Sequence, residues 1–183
     1  MGNLSAVKRN LAAGSADVNC RVWGGMTPVM VAAEFGHREV VELLVSKGAD
    51  VSLVADVGDH TLHWACMAGN VEMVKFIISQ NMVDIDSRGG WGRTPVMKAA
   101  LFGHSEVVKF LLSQGADVSL VADDGQSILH LACEGGDMET VKFVLSHKLA
   151  NIDARNEGKT ATDVASVGEY RQVVKLLLSI GGH

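Results

Sequence analysis

The chain has 183 residues, of which 48% are hydrophobic and 20% charged, with two prolines and a formal net charge of −5. That composition excludes a disordered polymer, and an acidic chain without a basic stripe lacks the electrostatic footprint of a nucleic-acid binder. No apolar run approaches the roughly twenty residues of a membrane-spanning helix, and three cysteines, an odd number, predict reduced thiols in the cytoplasm or nucleus.

In chain order, the opening Met1-Gly2-Asn3-Leu4-Ser5-Ala6 reads as neither a secretory leader nor an N-myristoylation signal, since Ala6 stands where a hydroxyl residue is required. Leu4 to Gly14 reads as a lone helix whose Arg9 and Asn10 replace apolar residues, the polar outer face expected of an N-terminal cap. Thr27-Pro28-Val29-Met30-Val31-Ala32 then opens a first full unit. Thr27 is placed to N-cap a helix and Pro28 fits its first position, where no N–H is needed. Ala32-Ala33 permits close approach of neighbouring helices, and Gly36 suits a left-handed turn. Val40-Val41-x-Leu43-Leu44 carries the buried face of a second helix, Gly48-Ala49-Asp50-Val51 turns, and Asp50 to His60, with Gly58 near its end, reads as a protruding hairpin-like loop.

The same order returns from His60-Thr61-Leu62-His63, Thr94-Pro95-Val96-Met97, Ser127-Ile128-Leu129-His130 and Thr160-Ala161-Thr162-Asp163. The period is about 33 residues, with one extra residue around 81–84. Gly69, Gly103 and Gly136 repeat the turn of Gly36, whereas Glu169 takes that place in the last unit and predicts an irregular turn there. Val173 to Ile180 keeps the internal apolar pattern, from which further repeats or another domain are expected to follow. A second period lies above the first: Ser46 to Asp56 recurs almost unchanged as Ser113 to Asp123, so units one and three look alike, as do two and four.

These units resemble the ankyrin repeat, with its Thr-Pro-Leu-His-x-Ala opening, Gly-His turn and Gly-Ala-Asp-Val ending. The resemblance spans about Gly2 to Gly181, and Met30, Met97 and Asp163 depart from the signature His. It implies an all-α solenoid of stacked helix-turn-helix units with protruding hairpin-like loops. The units are a half repeat over 1–22 and repeats over 23–55, 56–89, 90–122, 123–155 and 156–183. It also implies that His63 and His130 bond neighbouring loop backbone. Leu11 followed by Asp17-Val18-Asn19 is similar to the ankyrin context for asparagine hydroxylation.

No catalytic constellation is found. His63/Cys66 and His130/Cys133 have a zinc-compatible i,i+3 spacing, but the pairs lie two repeats apart, and two ligands do not close a tetrahedral site. The same separation forbids a Cys66–Cys133 disulfide. Gly89-Gly90-Trp91-Gly92 and Gly135-Gly136 lack the strand and the Lys-Ser/Thr of a phosphate loop. An open solenoid has no deep pocket in which to tune reacting groups, so neither metal nor cofactor is expected.

The resemblance implies binding of another protein, or of an extended or helical peptide, by loop tips and inner faces of the first helices. Carried onto this chain, those positions are Arg21, Trp23, Met26, Glu34 and Phe35 in repeat one; Asp56, Val57, Asp59 and Met67 in repeat two; Arg88, Trp91, Arg93, Leu101 and Phe102 in repeat three; Asp123, Asp124, Gln126 and Glu134 in repeat four; and Arg155, Glu157 and Lys159 in repeat five. Val31 precedes Phe35 and Lys98 precedes Phe102 by four residues, so each pair shares a helical face, and Trp64 holds the equivalent place. All three tryptophans fall on this surface, whereas Phe76, Phe110 and Phe143 read as core. The expected partner meets alternating basic-aromatic and acidic bands. Other readings are a free-standing inhibitor of a signalling enzyme such as a kinase, a substrate-recruiting part of a larger enzyme, and weak self-association of an otherwise monomeric chain through Leu176–Ile180.

Overall fold

The computed structural model describes residues 17–146 and 151–182; the helix expected at Leu4–Gly14 lies outside them. Among the described residues ten α-helices follow in five pairs. The pairs are α1 (Pro28–Glu34) with α2 (Arg38–Ser46), α3 (Thr61–Ala68) with α4 (Val71–Ser79), α5 (Pro95–Leu101) with α6 (Ser105–Ser113), α7 (Ile128–Gly135) with α8 (Met138–Ser146), and α9 (Ala161–Val167) with α10 (Arg171–Ser179). No strand is present among the described residues beyond isolated antiparallel bridges at Val54–His60, Val121–Ser127 and Asn156–Lys159, which pinch three of the loops into hairpins.

Each first helix begins in the same way. The residue three after the N-cap turns back to accept the N-cap's backbone N–H, satisfying a donor that helix geometry leaves orphaned. In repeats two and four the acceptor is His63 Nδ1 (3.3 Å) or His130 Nδ1 (3.4 Å), and in repeat five it is Asp163 Oδ2 (2.8 Å). Where the signature His is missing, Met30 Sδ and Met97 Sδ take its place at 3.4 and 3.5 Å. Sulfur accepts weakly, so Pro28 and Pro95 at the first helical position compensate by fixing the backbone.

The turn between the paired helices is left-handed at Gly36, Gly69, Gly103 and Gly136, with φ of 71° to 74°. Glu169 holds the same conformation, φ 59°, so the irregular turn expected in the last unit is not found. The turn keeps its shape and a side-chain-bearing residue takes the strain, which costs about 1–2 kcal/mol relative to glycine's free access to that region.

The first helices stack in one row and the second helices in another, the first row packing more closely. Ala32, Ala33, Ala65, Cys66, Ala99, Ala100, Ala132 and Cys133 are buried and let that row's backbones approach. Val41, Leu44, Val74, Ile77, Val108, Leu111, Val141, Val144 and Leu177 seal the core from the second row. Phe76, Phe110 and Phe143 pack partly buried against it, as expected for second-helix core positions. The outer side of the last repeat exposes Leu178 and Ile180.

Candidate binding surface

Successive loop tips are tied together, and the ties alternate. Between repeats one and two, Arg21 donates to Val54 O (2.8 Å) and Gly25 O (2.9 Å), and Asp56 N–H donates to Gly24 O (2.8 Å). Repeats three and four use the same device: Arg88 donates to Val121 O (2.8 Å) and Asp123 N–H to Trp91 O (2.9 Å). Between repeats two and three, His63 Nε2 instead meets Ser87 O and Arg93 O, each at 3.2 Å. Repeats four and five use His130 Nε2 with Lys159 O at 3.3 Å. The two-repeat superperiod therefore has a physical content. Methionine can replace histidine as an N-cap acceptor, but it has no second nitrogen to reach the next tip, so an arginine supplies that link.

The joint between repeats two and three also holds a buried ion pair. Lys98 Nζ lies 2.8 Å from Asp59 Oδ2, and Asp59 Oδ1 accepts from Gly90 N–H at 2.8 Å. Asp59 is 2% and Lys98 7% exposed. The expectation that these two face a partner is thereby corrected: each charge is consumed by the other. A Cβ on Gly90 would come 2.7 Å from Val57 O, so glycine is what lets this tip approach its neighbour. Beside the pair, His60 and His63 meet edge to face, 4.3 Å between ring centroids, and His60 Nε2 contacts Ser87 Oγ. Burial, helped by the neighbouring His63, pushes His60 down to about 4; burial also lowers His63, against the pull of Asp59.

The remaining expected residues divide clearly. Trp23, Phe35, Trp91 and Phe102 are exposed, Trp23 by 94% and Trp91 by 75%. Trp91 also has a left-handed backbone, φ 64°, at the place where repeat one has Gly24, φ 65°. The two tryptophans are thus offset by one residue, Trp23 standing where repeat three has Gly90. Met26, Trp64, Met67 and Leu101 are half-buried, with Trp64 and Leu101 against the core. Among the described residues, Phe35 borders a cleft of about 400 Å³ with Val22, Pro28, Val31 and Val40.

The cations of these tips are also held by the scaffold. Besides Arg21 and Lys98, Arg88 contacts Asp123 (3.1 Å), and Arg93 reaches Gln126 (3.3 Å) and Asp124 (3.9 Å). Arg21, Arg88, Arg93 and Lys98 are thus all engaged within the scaffold, while Asp56 and Glu134 are exposed and, among the described residues, form no ion pair. Sequence cannot tell an arginine that faces a partner from one that staples a loop.

Gln126, Glu134, Glu157 and Lys159 come together around a groove of about 280 Å³ between repeats four and five. Asn156, Val164 and Val167 line it as well, and Val167 is 77% exposed. Asn156, Val164 and Val167 were not among the expected residues. The repeat register carries the missing signal: Asn156 stands in the column of Asp56 and Asp123, and Val167 in that of Glu34, Met67, Leu101 and Glu134. Among the described residues no group of three or more His, Cys, Asp or Glu is arranged to hold a metal. Cys66 and Cys133 are buried and unbonded, burial raising both thiols, Cys133 to about 12. Asn19 Oδ1 accepts from Asp50 N–H at 2.9 Å, as Asp86 Oδ1 does from Asp117 N–H, so its side chain ties one turn to the next.

The sequence matches the family description "Ankyrin repeats (3 copies)" over residues 53–122 and 115–183, and "Ankyrin repeat" over 24–56. Similar proteins include the ankyrin repeat protein nuc-2 of Neurospora crassa, 30% identical across 98% of this chain and 17% of that protein. The ankyrin repeat and KH domain-containing protein mask-1 of Caenorhabditis elegans is 32% identical across 98% of this chain and 8% of its own length. The serine/threonine-protein kinase TNNI3K of Mus musculus is 37% identical across 55% of this chain and 12% of its own. The chain therefore spans less than a fifth of the length of these relatives.

Proposed function

The chain belongs to the ankyrin-repeat family, whose arrays are generally protein–protein interaction modules, and from that premise we propose that it is a non-catalytic module that holds a partner protein against its loop tips and first helices. The observation that carries this reading is Trp91. The residue is 75% exposed and its backbone occupies a conformation that glycine adopts in repeat one. An exposed indole offers no core packing, and the left-handed backbone costs about 1–2 kcal/mol. Strain of this kind collects at functional positions, and tryptophan is enriched among residues that dominate binding energy.

The contact surface comprises Trp23 and Trp91 at the tips, Phe102 and the half-buried Met67 and Leu101 along the helices, and the polar residues of the groove between repeats four and five. Arg21, Arg88 and Arg93 act by holding the tips in register, so that the partner meets a preorganised surface and ordering it costs less on binding. The unbonded cysteines suit a reducing compartment, the cytoplasm or nucleus.

The test is affinity capture from cell lysate with the wild-type chain and a Trp23→Ala/Trp91→Ala/Phe102→Ala variant whose circular dichroism matches it. Proteins retained by the wild type and lost by the variant are expected. Equal recovery by both places binding elsewhere and removes this surface.

A further inference from the structure

We infer that the partner segment is basic, and that one of its arginine or lysine side chains seats in the groove between repeats four and five. This rests on the binding-module reading and adds the chemistry of the partner to it.

The charge balance of the surface supplies the first argument. Arg21 and Arg88 donate to carbonyl oxygens of the next tip, Arg93 to Gln126, and Lys98 is sealed against Asp59. Asp56 and Glu134 are exposed and, among the described residues, form no ion pair within 4.0 Å. Over the tips and first helices of the first four repeats, Glu34, Asp56, Asp59, Asp123, Asp124 and Glu134 outnumber Arg21, Arg88, Arg93 and Lys98, so the net field that an approaching chain meets there is negative. Such a field speeds the encounter with a positive segment and disfavours a negative one.

The groove supplies the second argument, because its lining combines the apolar and the acidic groups that a long basic side chain needs. Val164 and Val167 give the lining apolar groups, while Glu134, Glu157, Gln126 and Asn156 give it polar ones. Arginine and lysine bury apolar stems and keep a charged head in polar surroundings. The volume, about 280 Å³, is ample for one such side chain. Lys159 also borders the groove, and the two carboxylates outweigh its single ammonium.

The exposed rings supply the third. Trp23 and Trp91 present indole faces, which attract cations as well as apolar groups. Their tips lie two repeats apart. With packed helix layers spaced by about 8–10 Å, the separation is about 16–20 Å, which an extended chain rising about 3.3 Å per residue covers in five or six residues.

The probe is a displayed library of random peptides of roughly this reach and longer, selected on the wild-type chain. Counter-selection uses a Trp23→Ala/Trp91→Ala variant. Recovered peptides are expected to carry net positive charge, and their affinity for a Glu134→Gln/Glu157→Gln variant is expected to fall about tenfold, as loss of charge-assisted hydrogen bonds implies. Binding to the wild type is expected to weaken steeply with added salt. Peptides that need the tryptophans but show no positive bias, or that bind the glutamine variant as well as the wild type, overturn the basic-partner inference and leave the binding-module reading standing. Peptides held equally by the tryptophan variant overturn the surface itself. A library that yields no binder refutes recognition of an extended basic segment.

Discussion

Replacing Lys98 with leucine should be among the most damaging single changes in the array. It strands the Asp59 carboxylate, 2% exposed, with the Gly90 N–H as its remaining direct hydrogen bond. At the 2.8 Å separation observed, two unit charges attract by about 6 kcal/mol at an effective dielectric of about 20. Desolvating each ion costs several kcal/mol, so the pair as a whole is close to neutral, while an orphaned member costs about 3–5 kcal/mol. That is a large part of the roughly 5–15 kcal/mol that holds a domain folded. The scaffold suggests a rescue: one joint earlier, the places of Asp59 and Lys98 are filled by Met26 and Trp64, both half-buried. Asp59→Met/Lys98→Leu should therefore lie within about 2 kcal/mol of wild type, the residual loss being the unpaired Gly90 N–H. Equilibrium unfolding in urea, followed by both circular dichroism and tryptophan fluorescence, measures all four proteins. A Lys98→Leu loss below about 1 kcal/mol, or a double variant as unstable as the sum of its singles, would refute the ion-pair argument.

Three further outcomes are expected. Glu169→Gly should stabilise the last repeat by about 0.5–1 kcal/mol, the relief of left-handed strain less the extra unfolded-state entropy of glycine; a lower unfolding midpoint would contradict it. His60 and His63 are both held neutral by burial, His60 down to about 4, so the unfolded chain binds their protons first. The contribution of His60 is complete above about pH 6.5 and is lost as pH falls from there toward about 4, by up to about 1.4 kcal/mol per pH unit, and His63 acts in the same direction. His60→Ser, the residue repeat four uses at that place, should flatten this decline, and a wild type equally stable at neutral and mildly acid pH would remove the premise. Of the three thiols, exposed Cys20 should react rapidly with a thiol reagent, while Cys66 and Cys133 wait for unfolding; more than one fast thiol in the native chain would contradict the buried core.

The helices, their order and much of the core were legible from the residues alone, because a repeat states its pattern five times. A Thr-Pro start, a glycine turn and a Val-Val-x-Leu-Leu face each depend on contacts within one unit, and local chemistry decides them. The candidate surface was legible as a set of columns: Trp23, Trp91 and Phe102 stand exposed at the places the register assigned. What each column's side chain does was not legible. Asp59 and Lys98 lie 39 positions apart, and Arg88 and Asp123 lie 35 apart, so their pairing exists only once repeats are stacked. A cation at a tip reads the same in sequence whether it points to solvent, to a carbonyl of the next tip or to a buried carboxylate. Residue type and period determined this protein's helices and where its aromatic rings fall. Only the stacking of one repeat on the next decided which charges are spent inside and which are left for a partner, because a charge's free energy is set by the dielectric and the neighbours it meets across that interface.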